Sequence, residues 1–190
     1  MAERDGLTDQ ARKREEDYFR KRDRELIDKM RHAAAAEQTR RDLEAKTGLH
    51  DPALLADLEE LGFTPDTITL LPLVPIVQVA WAEGGVSDAE RKLIVQLARA
   101  RGAQAGSAAD RQLDEWLDRR PSADVFTRAT RLIRAMLDQP AGAAVDLNAD
   151  ELIKYCENIA AASGGILGIG RISAEERTAL ERIAEALKAK

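Results

Sequence analysis

The side chains of this 190-residue chain that could do chemistry are few: two histidines, one cysteine, a glycine-rich stretch and a seven-letter phrase written twice. His32 and His50 stand 18 positions apart without a third ligand at a zinc-like spacing, and no serine or aspartate pattern makes either one part of a triad. Cys156 follows Tyr155 in an apolar, helix-periodic stretch, where a thiol is expected as a core side chain rather than a nucleophile. "GGILGIGRIS", starting at Gly164, has the glycines of a loop that cradles phosphate where a helix opens. Such a loop must follow a strand, and the Walker form carries a lysine. This one follows a helical pattern and has none. Its Ile166, Leu167 and Ile169 form an apolar finger instead, either tucked over the core or offered to a partner or a membrane surface. No catalytic constellation emerges, so an enzyme is not expected.

The repeated phrase is "GVSDAER" from Gly85 and "RISAEER" from Arg171, 86 positions apart. Each holds Ser-x-x-Glu, Ser87 with Glu90 and Ser173 with Glu176. In this capping box the hydroxyl accepts a free first-turn N–H and the carboxylate accepts the serine's own N–H. Each box comes after a glycine pair, Gly84-Gly85 or Gly164-Gly165, and precedes a matching apolar register. Leu93, Ile94, Leu97 and Ala98 correspond to Ala179, Leu180, Ile183 and Ala184. Upstream of each lies an apolar helical stretch, "VPIVQVAWAE" or "ELIKYCENIAAAS". The unit is helix, glycine turn, capped helix, and its double use predicts a pseudo-two-fold bundle with the two apolar helices central and antiparallel.

The elements between these landmarks are also helical. "LLPLVPIVQVAWAEGG" is apolar all round and predicts a buried helix from near Leu70 to Gly84-Gly85, with Pro72 and Pro75 confined to its first turn. Pro52 opens "PALLADLEELG", and Pro65 after Thr64 reads as a further helix start. Ser107 with Asp110 caps "AADRQLDEWLDRR", Pro121-Ser122 opens "ADVFTRATRLIRAMLD", and Pro140 begins a helix that runs to Ser163. Trp116, Phe126, Leu132, Ile133, Met136 and Leu137 supply core stripes, with Val77, Trp81, Leu97 and Ile183 expected to be nearly inaccessible. The fold class is all-α, with seven or eight helices after Gly48 and no strand. Aromatics at 4% and few β-branched residues agree with it.

Before Gly48 the text is charge-dense. Residues 1–50 carry 13 Lys+Arg and 12 Asp+Glu, against 16 and 22 in residues 51–190. The division expected is therefore a charged amphipathic extension over 1–50 and a helical domain over 51–190. Glu16/Arg20, Asp17/Lys21 and Glu25/Lys29 fall at i, i+4 in the favourable order, and one long helix is predicted from about Thr8 to Lys46. Tyr18, Phe19, Leu26, Ile27 and Met30 lie along one side of it. Either the helix is solvated and lies across the domain, or those five residues pair it, in coiled-coil fashion, with a second copy or a protein partner. The second reading predicts a homodimer through residues 15–35. Seven bases between Arg12 and Arg24 alternate with Glu15, Glu16, Asp17 and Asp23, so their field largely cancels. With a formal net charge of −5, no nucleic-acid partner is expected, and membrane contact is not favoured. The most apolar run, Leu70 to Ala82, is 13 residues where a bilayer needs about 20. No signal-peptide pattern opens the chain, and one cysteine suits a reducing compartment, so a soluble cytoplasmic protein is expected.

"AWAEGGVSDAERKLI" and "AAASGGILGIGRISAEERTALERIA" together resemble the paired signatures of the tellurite-resistance TerB family and its TerB-like relatives, over about residues 65–190. The preceding charged helix is similar to the N-terminal extension of a bacterial TerB-like subgroup of unassigned function. The resemblance implies an all-helical cytoplasmic domain linked to stress response, with acidic residues near the two glycine turns binding a divalent cation. Glu83 and Glu90 match the acidic positions of the first turn. In the second turn Ser163 stands where the family has an acid, and only Glu176 matches. The expectation is a non-enzymatic, stress-linked protein-interaction or scaffold module without a cofactor. The rival is a metal-ion-binding stress sensor using Glu83, Glu90 and Glu176.

Overall fold

The structure is a computed structural model that describes residues 2–139, 148–163 and 172–188; residues 2–15, 17 and 163 are described through their backbone alone. Among these residues every regular element is a helix and there is no strand. The chain divides into two compact units, Met1–Arg41 and Asp42–Lys190.

The first unit is a single helix. It belongs to α1 (Ala2–Thr47), which starts ahead of the expected Thr8. Nothing in the opening residues forbids helix, and Gly6 costs only about 1 kcal/mol against alanine. Glu16–Arg20, Asp28–Arg31 and Glu37–Arg41 pair along the surface at 3.6, 3.9 and 3.2 Å. Arg22 Nη1 donates to the Tyr18 hydroxyl at 3.0 Å, and the Tyr18 and Phe19 rings meet edge to face.

The last residues of α1 belong to the second unit, so the two units part inside the helix rather than after residue 50. Leu43 and Leu49 are fully buried there. Gly48 ends the helix in the left-handed region (φ 71°), donating to Glu44 O at 2.8 Å, a turn that glycine adopts without steric cost. α2 (Pro52–Glu60) follows, capped by Asp51, whose carboxylate accepts from Ala53 N–H at 2.8 Å.

The expected long apolar helix is broken in two. A 3-10 helix (Ile68–Leu73) with Pro72 inside it leads into α3 (Val74–Ala80), which has Pro75 in its first turn. Pro72 lacks an N–H donor, so the segment takes up the tighter 3-10 pattern as far as Leu73, and Pro75 falls in the first turn of α3, where no donor is needed. Pro65 accordingly opens a turn closed by Thr67 N–H to Thr64 O at 3.0 Å, not an α-helix. α3 ends at Ala80, short of the glycines. Trp81 and Ala82 close it with N–H bonds to Val77 O and Val79 O.

α4 (Asp88–Ala100), α5 (Ala108–Asp118) and α6 (Ala123–Leu137) follow, the last two capped by Ser107 and Ser122. α7 is described over Ala149–Ser163, with Asn148 Oδ1 accepting from Asp150 N–H at 2.9 Å in its first turn; the expected start at Pro140 lies outside the described residues. α8 (Ala174–Lys188) closes the domain. α3 lies most extensively against α7, and α4 crosses onto α7; α8 packs chiefly on α6 and α7 and also reaches α3, so the two halves are not packed alike. Val77 and Ile183 are inaccessible as expected. Trp81 and Leu97 are only half-buried: the Trp81 indole sits at the edge of the core, where its Nε1 donates to Trp116 O at 2.8 Å. No helix among the described residues is long and apolar enough to cross a membrane.

Candidate functional site

The two Ser-x-x-Glu phrases fold as capping boxes. Ser87 N–H donates to Glu90 Oε2 at 2.7 Å and Glu90 N–H donates to Ser87 Oγ at 3.3 Å. In the second copy Ser173 N–H donates to Glu176 Oε2 at 2.8 Å and Glu176 N–H to Ser173 Oγ at 3.1 Å. The first box has a further bond, from the Ser87 hydroxyl to Glu90 Oε2 at 2.6 Å. Gly84 precedes it with φ 89°, and nothing crowds the space where a side chain would stand. Backbone conformation, not space, is what requires glycine there.

Both glutamates are buried, at 2% and 1% exposure, which helix capping alone does not demand. Burial pushes the Glu90 carboxyl above the usual glutamate range. The bonds from Ser87 pull it back, and the charges of Glu176 and Glu83 push it further up. The charge of Glu176, from the other half of the repeat, is thus felt at Glu90. Glu83, in the turn after α3, is exposed.

A hard cation asks for six or more oxygens at short range. Here Glu90 Oε2 takes two donors from Ser87 and Glu176 Oε2 takes one from Ser173. Among the described residues no group of three or more His, Cys, Asp or Glu side chains is gathered in a way that could hold a metal ion. Glu83, Glu90 and Glu176 as they stand do not fit a closed cation site.

The five apolar residues of α1 are all exposed: Tyr18 57%, Phe19 54%, Leu26 57%, Ile27 47% and Met30 64%. Ile166, Leu167 and Ile169, the other expected contact residues, lie outside the described residues. His50 Nδ1 meets Glu44 Oε1 at 2.6 Å at the exit of α1, and His32 stands exposed on that helix. Cys156 is fully buried on α7, and loss of solvent pushes its thiol up to about 12, so it is not a nucleophile at neutral pH.

Sequence patterns did not disclose two ionic clusters. Arg128 bonds Asp57 and Glu60, both at 2.7 Å, and Arg131 shares Asp57, tying α6 to α2. Arg99 donates to Asp110 Oδ1 at 2.5 Å while Gly106 N–H donates to Oδ2 at 2.6 Å. That N–H first, and the guanidinium second, hold the Asp110 carboxyl below the usual aspartate range. Both clusters join helices, α6 to α2 and α4 to α5. Comparison with protein-family models, with curated proteins and with solved structures finds no match.

Proposed function

We propose that the chain is a non-enzymatic protein-interaction module of TerB-like type, its α1 helix serving as the contact element. The carrying observation is the set of five exposed apolar side chains on α1, Tyr18 to Met30, in a unit that contains no second helix. A lone helix of that kind gains most of its stability when its apolar side is covered. A second copy of the chain is the favoured cover, and a link to stress response follows from the family resemblance alone. Light scattering on the full chain and on the triple variant Leu26→Gln, Ile27→Gln, Met30→Gln tests it. The expected result is a dimer that becomes a monomer. A monomeric parent would remove the self-association reading.

The metal-sensor reading has one observation in its favour, the nearness of Glu176 and Glu83 in charge terms to the buried Glu90. Calorimetric titration of the full chain with calcium, magnesium and zinc separates the two. No heat of binding is expected. Binding that Glu90→Gln abolishes would favour the sensor.

A further inference from the structure

A groove of about 570 Å³ runs between α6 and α8, with one face of α3 at its base. Its floor is apolar, built on the buried rings and branches of Phe126 and Ile183. Its rim is basic: Arg120, Arg131, Arg134 and Arg182 line it, and among the described residues no acidic side chain does. In a domain whose acids outnumber its bases, 22 to 16 over residues 51–190, four guanidinium groups around one apolar floor stand out.

Two of the four are committed elsewhere. Arg131 pairs with Asp57, and Arg134 bonds Leu187 O at 2.9 Å and Asp138 at 3.0 Å. Arg120 and Arg182 are exposed and take part in no hydrogen bond or ion pair among the described residues. Gln78 lines the same groove from α3; it is the one polar residue in a helix that is otherwise fully apolar, and its amide likewise has no partner among the described residues. An unengaged amide beside an apolar floor and two unengaged guanidinium groups is the arrangement of a recognition groove, with anchor, polar reader and charged rim.

We infer that this groove docks an acidic segment of a partner protein, seating one bulky apolar side chain over Phe126 and Ile183 while flanking carboxylates meet Arg120 and Arg182. Guanidinium forks match carboxylates in geometry as well as charge. A nucleic acid fits less well. Its recognition runs along an extended basic track with stackable aromatic faces. Among the described residues the one ring lining the groove is the buried Phe126, and residues 51–190 carry more acids than bases. The inference rests on the interaction-module reading and adds a second contact surface to it, separate in sequence from the α1 residues.

The test is a display selection of random 16-residue peptides on the immobilised full chain, followed by fluorescence anisotropy of the enriched peptides. Peptides rich in Asp and Glu around a Leu, Ile or Phe are expected. The double variant Arg120→Glu, Arg182→Glu should weaken their binding about tenfold or more, and rising salt should weaken the parent's binding. Both arginines are exposed, so melting should be unchanged; if charge reversal perturbs folding, the Arg120→Gln, Arg182→Gln pair supplies the same comparison. Peptides without an acidic excess, or equal binding to both proteins, would overturn the inference. A short DNA duplex that binds through the same arginines more tightly than the peptides would overturn it too, as would a dimer that the double variant dissociates. Failure here leaves the Leu26, Ile27 and Met30 experiment untouched, so the two readings fall separately.

Discussion

Replacing Ser87 by alanine probes how the first turn is held together. The substitution removes the acceptor for Glu90 N–H, a cap loss that costs about 1 kcal/mol in typical helices. It also removes the hydroxyl that donates to Glu90 Oε2 at 2.6 Å. That carboxylate is only 2% exposed, and losing a hydrogen bond to a buried charged group costs about 1.5–3 kcal/mol. Together the change should cost roughly 2–4 kcal/mol at neutral pH. Ser173→Ala should cost about 1 kcal/mol, the ordinary value for a cap. The pH dependence follows from the direction of the Glu90 shift. Its folded carboxyl already lies above the ordinary value, and the Ser87 bonds restrain it. Without the hydroxyl it rises further. An acid whose folded pKa exceeds its unfolded one loses stability as pH rises from the unfolded value through the folded one. The cost of Ser87→Ala should therefore be smaller at pH 4, where the carboxyl is largely protonated, than at pH 7.5. Urea unfolding followed by the fluorescence of Trp81 and Trp116 measures both. A cost under about 0.5 kcal/mol at pH 7.5 would refute the pairing of hydroxyl and carboxylate, as would a larger cost at pH 4.

Ile183→Ala should cost about 2–5 kcal/mol, since Ile183 is 3% exposed where α8 meets α3 and α6; the same urea assay reports it. Asp57→Asn should cost about 1–3 kcal/mol by weakening the bonds from Arg128 and Arg131, with Glu60 and Asp124 still holding Arg128. Thermal melting checks that cost. Cys156 should resist a thiol reagent in the native protein at pH 8 and react fully in denaturant, because its thiol is buried and pushed up to about 12. Native labelling on the timescale of the denatured control would contradict the packing of α7.

Local signals were legible where a residue's own chemistry decides the outcome. Ser87, Ser107, Ser122 and Ser173 start helices because their hydroxyls satisfy first-turn N–H groups. Gly48 stops α1 because it accepts a positive φ. The break between the 3-10 helix and α3 was hidden, since apolarity fixes burial but not the helix type that two prolines allow. The different burial of α4 and α8 was hidden as well. Leu97 is half-buried on α4, yet Ile183, at the corresponding apolar position, is buried on α8, so matching positions face different neighbours. The basic rim was unreadable for the same reason: Arg120, Arg131, Arg134 and Arg182 come from three segments that only packing brings together.

The duplicated phrase caps a helix in each half. A capping glutamate on an open surface can rely on water. Glu90 and Glu176 cannot, because both are buried, and the charge of Glu176 adds to the cost of ionising Glu90. What makes their burial tolerable is local to each box. Every serine N–H aimed at a carboxylate is a fixed donor, and each glutamate sits in the first turn of its helix, α4 or α8, where the helix dipole favours negative charge. The same reasoning says why glutamine should substitute well at position 90: its side-chain oxygen still accepts the Ser87 N–H, and the buried charge is gone. Glu90→Gln should then leave stability at pH 7.5 unchanged or raised, and a large loss would mean that the charge itself is required at the junction of the halves.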